Sequence, residues 1–377
     1  MLNAQQFGDM LWQAMKNDGK TPSHDVYGNG DQAVVPEYLD SNHLIPSDDV
    51  DWVDEILRAA VVQSYNLSFT KADKKSNQLF SLGYYDQQGL VKFSDFKRVS
   101  GRFNSEYKLF DDHLRIGENI SLSHSWGTSV SNNAALGGTL YEAYKFQSIT
   151  PVKNLEDEYA GNVFSDIPNP MGKLYRNKDN QDKKSRLVGN LYAELHLFDG
   201  LMFKTSFGVD YNNLYRRSFS PKYDELNASE KLSSLSNRNA WNFNWVFTNT
   251  LTYNKTFGDH TINALLGMES LRNRYEYFTA SRDGFPSDDP NFRFLDAGDV
   301  GTQKNSGAAT EYSMVSYFGK LDYNYHDRYL VAFTLRRDGS SRLGNNKWGN
   351  FPAASVGWRI SNEPFFDVEA ILSLIHI

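Results

Sequence analysis

The feature that most limits how this chain folds is a long, strict alternation of apolar and polar residues. Leu187, Gly189, Leu191, Ala193, Leu195 and Leu197 alternate with Val188, Asn190, Tyr192, Glu194 and His196. After Asp199-Gly200, Leu201, Phe203, Phe207, Val209 and Tyr211 alternate with Lys204, Ser206, Gly208, Asp210 and Asn212. Trp241, Phe243, Trp245, Phe247, Asn249, Leu251 and Tyr253 then face one way, with Asn, Thr and Val246 between them. A period of two places successive side chains on opposite faces of a strand, so each strand has one apolar and one polar face. The runs last about 10–14 residues, against about 5–6 for an ordinary strand and about 9–11 for one tilted across a bilayer.

The connections sharpen this reading. Short turns fall at 110–113, 198–200, 256–259 and 325–328, and long polar segments fall near 127–184, 213–239, 273–311 and 337–351. Short turns on one side and long loops on the other mark an outer-membrane barrel. The polar face is too rich in Asn, Thr, Ser, Lys and Glu to form a dry core, because unpaired polar groups are costly away from water. The apolar face therefore turns to lipid and the polar face to a wet or plugged lumen. Tyr65, Tyr84, Tyr107, Tyr211, Tyr253 and Tyr323 suit an interfacial girdle. Glu118 objects, because it lies on the apolar row Leu114, Ile116, Ile120, Leu122. It must sit near the rim, be covered, or mark a bulge.

Residues 1–60 follow another period. Asn3 and Gln6 have capping-box spacing, and Phe7, Met10, Leu11 and Ala14 share a helical face that Asp18-Gly19 ends. Ser47 is placed to cap a second helix over Val50, Val53, Ile56, Leu57 and Ala60. Asp48, Asp49 and Asp51 read as helix-start carboxylates rather than a calcium site.

Composition narrows the function classes. Aromatic residues make up 14% of the chain and the net charge is −7, which argues against a general nucleic-acid binder. The absence of cysteine removes disulfides, thiolate metal sites and cysteine nucleophiles. MLNAQQFGDM carries no signal-peptide pattern, and no apolar run is long enough for a membrane helix. No HxxxH pair, GxSxG, Walker loop or EF-hand loop occurs. The chain is therefore read as a non-enzyme without cofactor or metal. Asp338-Gly-Ser-Ser-Arg342 reads as a strand-ending turn. A ligand site would need aromatic platforms and planar polar groups on loops. Trp126, Asn132, Asn133, Tyr141, Tyr144 and Phe146 are the candidates, although packing of the loop on itself explains the aromatics equally well.

Several strings carry a resemblance. They are DWVDEILRAA (51–60), YNLSFT (65–70), FSLGYYDQQGLVKFSDFKRVSGRFN (80–104), DRYLVAFTLRRDGSSRLG (327–344) and FPAASVGWRISNEPFF (351–366). In that order they resemble the SusC/RagA family of TonB-linked outer-membrane transporters of Bacteroidetes, over 1–371. The resemblance implies an all-β fold, an antiparallel transmembrane β-barrel of about 22 strands around a plug. It implies import of oligosaccharides or peptides, a SusD-like surface lipoprotein as lid, and energy from the TonB complex acting on a segment upstream of this one. On this reading 1–60 is a short, mostly helical plug-to-barrel connecting segment. Residues 61–371 are then the N-terminal part of the barrel, about eleven strands or half of the whole. Met1 is expected to be internal to a longer gene. The last six residues, 372–377, read as the translation of a sequencing adapter. A segment with two open sheet edges is expected not to insert and transport by itself. The alternatives are a TonB-dependent receptor for iron chelates, and a soluble glycan-binding β-protein.

Overall fold

The computed structural model describes residues 1–130 and 137–366. Its strands are β1 Val62–Ala72, β2 Ser76–Gln88, β3 Asp95–Leu109, β4 Leu114–Gly127, β5 Gln181–Phe198 and β6 Leu201–Ser220. There follow β7 Tyr223–Glu225, β8 Ala228–Glu230, β9 Ser234–Phe257, β10 His260–Asp283, β11 Lys304–Tyr325, β12 Tyr329–Ser340 and β13 Trp348–Trp358. All but β7 and β8 form one eleven-stranded sheet in chain order, with every neighbour antiparallel. The small β7–β8 pair is a hairpin of its own between β6 and β9.

The two faces follow the alternation. Tyr65, Leu67 and Phe69 stand opposite Tyr84, Leu82 and Phe80. A longer apolar row runs through Leu114, Leu195, Phe203, Leu251 and Leu266 on five successive strands. The apolar rows are the more open of the two faces. Val331 and Phe333 are 46% and 48% exposed, whereas Ala332 and Thr334 beside them are half-buried. A sheet stabilised in water would show the reverse order. An apolar face this long, left uncovered, needs hydrocarbon against it.

Several expectations shift. β5, β6, β9, β10 and β11 run 18, 20, 24, 24 and 22 residues, well past the expected length. The extra length lies on the loop side, because the turns at the other end stay tight. Above a bilayer both faces of a strand are wet, so alternation fades there although pairing continues. Arg272, Arg274 and Glu276 on β10 belong to such a stretch. The long connections accordingly shrink to 128–180, 221–233, 284–303 and 341–347. A further tight turn appears at 73–75, where Asp73 Oδ1 accepts from the N–H groups of Lys75 and Ser76 at 2.8 Å each. In the β3–β4 and β11–β12 turns Phe110, Asp111, Asp112, His326 and Asp327 take left-handed backbone angles without glycine.

The pairing register breaks only between His196 and Phe198 among the described residues, so no bulge explains Glu118. The carboxylate is covered instead. Glu118 is half-buried and accepts from the hydroxyl of Ser105, its cross-strand partner, which is 5% exposed.

The conventional apolar cores lie off the sheet. Helix α1, Ala4–Asn17, has the expected Asn3/Gln6 capping box and ends before Gly19. Its buried residues are Ala4, Gly8 and Trp12, while Met10 and Ala14 face solvent. The face turns because Gly8 admits Tyr27 and Ala33; a Cβ there would lie 2.9 Å from both. Helix α2, Trp52–Ile56, is capped by Asp51 and not by Ser47, whose hydroxyl donates to the Pro36 carbonyl. Asp49 Oδ1 accepts from Ala4 N at 3.0 Å. The 128–180 connection supplies α3, Thr139–Lys145, and α4, Pro170–Asn177. Trp52 and Ile56 bury against Phe146, Met171 and Leu174, and Trp12 and Tyr27 bury with Ile149. Residues 1–60 and 128–180 thus fold as one cap at the long-loop end of the sheet. The tail at 367–377 lies outside the described residues.

Candidate functional site

Two surfaces offer solute chemistry: the inward face of the sheet and the loop cap above it. On the inward face, Arg186 reaches Asp210 through two bonds, Nε to Oδ1 at 3.0 Å and a terminal nitrogen to Oδ2 at 2.7 Å. Arg216 holds Asp182 the same way at 2.6 and 2.5 Å. Paired forks of this kind fix both side chains in plane. Asn242 and Asn273 face inward and bond to each other at 2.9 Å. Next to them Tyr275 and Tyr277 place their rings 6.0 Å apart. The Arg238 guanidinium lies 3.9 Å over Tyr277 and donates to the Tyr275 hydroxyl at 3.0 Å. Rings, amides and guanidinium together form a wet wall of donors, acceptors and flat faces.

The cap contains a cleft of ≈ 670 Å³ between the 128–180 connection, the β7–β8 hairpin and the 284–303 connection. Tyr159, Tyr175 and Tyr223 line it with Arg176, Lys178 and Arg293. Its frame is a buried ion pair. Arg176 meets Glu225 Oε1 at 2.5 Å, and Glu225 Oε2 accepts from Asn169 N at 2.7 Å. Asn169 caps α4, and its side-chain amide donates to the carbonyls of Val152 and Ala160, both at 3.0 Å. Gly172 leaves the space for this contact, since a Cβ there would fall 2.8 Å from both Glu225 Oε1 and the Tyr159 ring. Burial pushes the Glu225 carboxyl above its ordinary value, while Arg176 and the Asn169 N–H pull it down. Burial likewise raises the Tyr159 and Tyr223 hydroxyls. Arg176 also lies 3.9 Å over the Tyr223 ring, and Lys178 lies 3.8 Å over Tyr175.

The residues chosen from sequence do not converge. Trp126 continues the outward row of Leu122 and His124, with its ring 5.6 Å from that of His124, so it reads as a girdle residue at the loop end of β4. Phe146 is 1% exposed and packs edge-on against Trp52 at 4.6 Å, which makes it core. Tyr141 is half-buried under Lys145, and Tyr144 projects into solvent. Asn132 and Asn133 lie outside the described residues. Sequence reading passed over Tyr159, Tyr175 and Tyr223, which no period links. It also passed over Arg238, whose inward position follows from the parity of β9. Among the described residues no group of three or more His, Asp or Glu side chains gathers as a metal cluster, and no helix is long and apolar enough to cross a membrane.

No family model matches the chain. It is 30% identical over 341 residues to "TonB-dependent receptor P3" of Formosa agariphila, covering 88% of this chain and 34% of that protein. It is 28% identical over 353 residues to "TonB-dependent receptor SusC" of Bacteroides thetaiotaomicron, covering 86% and 33%. The chain therefore spans about a third of the curated relatives it matches. Among solved structures, the RagAB peptide importer in its closed-closed state superposes with a TM-score of 0.75 at 23% identity, over 97% of this chain and 40% of the other. The eleven-stranded sheet and its connections share the fold of part of that importer.

Proposed function

We infer that this chain, which belongs to the SusC/RagA family of TonB-dependent receptors, supplies barrel wall and loop cap to an importer of oligosaccharides or peptides in the outer membrane. The observation that carries the inference is the inverted sheet: apolar rows open to the outside, hydrogen-bonded polar rows facing in. Such a wall separates lipid from water, and its inward face has the groups to hold a polar solute in passage. Residues 61–371 are assigned to the barrel. Residues 1–60 pack with the 128–180 connection at the long-loop end, so they are assigned to the outer cap and not to the plug-to-barrel connection expected from sequence. A SusD-like lipoprotein is assigned to the outer mouth, above the cap. Energy is assigned to the TonB complex acting through a plug, and the role is non-enzymatic. Tyr141 and Tyr144 join the cleft tyrosines as loop positions assigned to solute contact.

The test is direct. A full-length receptor carrying this segment is expected to fractionate with outer membranes, to shift on a gel when heated, and to take up labelled oligosaccharide or peptide only with an intact TonB system. A soluble, heat-insensitive band sinks the reading.

A further inference from the structure

The loop-side half of the inward face carries a charge that the chain as a whole does not. The inward positions 98 and 102 on β3, 184 and 186 on β5, 216 on β6 and 238 on β9 are all Arg or Lys. Register gathers them. Arg216 is opposite Arg238, and Ser125 is opposite both Arg98 and Lys184. Ser123 and Ser121, the next inward residues on β4, are opposite Arg186 and Arg102. The carboxylates facing inward in these rows are Asp182 and Asp210, and each is already held in a fork by Arg216 or Arg186. Among the described residues Arg98, Arg102, Lys184 and Arg238 have no carboxylate at ion-pair distance. In a chain of net charge −7 this is a concentration of cations on one wall, without carboxylate partners among the described residues.

Two of these guanidiniums rest on rings instead of acids: Arg238 at 3.9 Å from Tyr277, and Arg98 at 5.8 Å from Tyr85. A cation parked on an aromatic face keeps N–H groups for an anion, even where, as in Arg238, one of them is given to the Tyr275 hydroxyl. Like charges gathered on one wall of a wet passage raise the local concentration of an oppositely charged solute. The uncharged neighbours are amides and hydroxyls, including Asn212 and Asn242 in the row of Arg186. Each amide has donors and an acceptor, which suits sugar hydroxyls.

We propose that this strip binds an oligosaccharide bearing carboxylate or sulfate groups. The proposal rests on the import reading and deepens it. Arg98, Lys184 and Arg238 take the anionic substituents, and Tyr275 with Asn242 takes the ring and its hydroxyls.

The full-length receptor in detergent is titrated by calorimetry with oligogalacturonate, a sulfated galactan oligosaccharide, a neutral malto-oligosaccharide of similar length, and polyglutamate. At least one anionic sugar is expected to bind more tightly than the neutral one, with affinity falling as salt rises. Arg98→Gln with Arg238→Gln is expected to weaken that sugar about tenfold or more and to leave the neutral sugar unchanged. Lys184→Gln gives a smaller loss of the same kind. Equal affinity for the neutral sugar overturns the proposal. So does indifference to the substitutions, binding of neither anionic sugar, or preference for polyglutamate. The heat-shifted outer-membrane band of each variant is read alongside. A band without anionic-sugar binding sinks this proposal alone, and loss of the band from the unsubstituted receptor sinks the import reading.

Discussion

Glu225 shows how a single side chain sets the shape of the cap. It is nearly buried, yet it ties the β7–β8 hairpin to α4 through Arg176 and the Asn169 N–H. Removing one partner of a buried pair leaves the other charge unpaired, at a cost of about 3–5 kcal/mol. The pH dependence has a definite sign. Because burial raises the carboxyl above 4.5, the docked hairpin holds its proton more tightly than the free one. The associated stabilisation is complete below that ordinary value and is lost as pH rises through the raised one. Amide protection at 223–230 in the full-length receptor, corrected for intrinsic exchange, is therefore expected to fall as pH rises from the ordinary glutamate range, and to flatten with Glu225→Gln. Protection that rises over that window contradicts the assignment. None of this was legible in the sequence. Tyr159, Arg176 and Glu225 are far apart in the chain, and only the docked hairpin and the space at Gly172 bring them together.

At the scale of the strand, parity decides what a position tolerates. Leu191 and Asn190 are neighbours on β5, and Leu191 is 57% exposed on the outward face. Leu191→Arg is expected to cost about 2–4 kcal/mol if it lies near the bilayer midplane, and Asn190→Arg close to nothing. Reversible folding of the full-length receptor into lipid vesicles measures both, and equal penalties, or the larger one at Asn190, would contradict this assignment of the faces. Parity was legible in the sequence, because alternation depends on residues two apart and needs no tertiary information. Strand ends were less so, since the pattern fades where both faces meet water. The α1 face shifted for a local reason, the notch at Gly8. The candidate ligand aromatics failed to gather because an aromatic on a loop serves core, girdle and solute alike, and only burial separates Phe146 from Tyr144.

For the molecule as a whole, the decisive property is an open sheet. β1 and β13 each lack a second neighbour among the described residues. Their unpaired N–H and C=O groups find no partners in hydrocarbon. The 377-residue chain by itself is expected to stay out of lipid vesicles and to show no heat-shifted band, whereas the full-length receptor shows one. A stable, heat-modifiable monomer of the short chain would contradict this. Strand order has a further consequence. Because each strand pairs only with the strands before and after it in the chain, apart from the small hairpin, no strand among the described residues other than the two at the edges waits for a distant partner. Assembly can advance one hairpin at a time, with little loop-closure entropy at each step. During synthesis the exposed edge is then a growth front rather than a flaw, and what must be timed is the moment at which it meets the first strand.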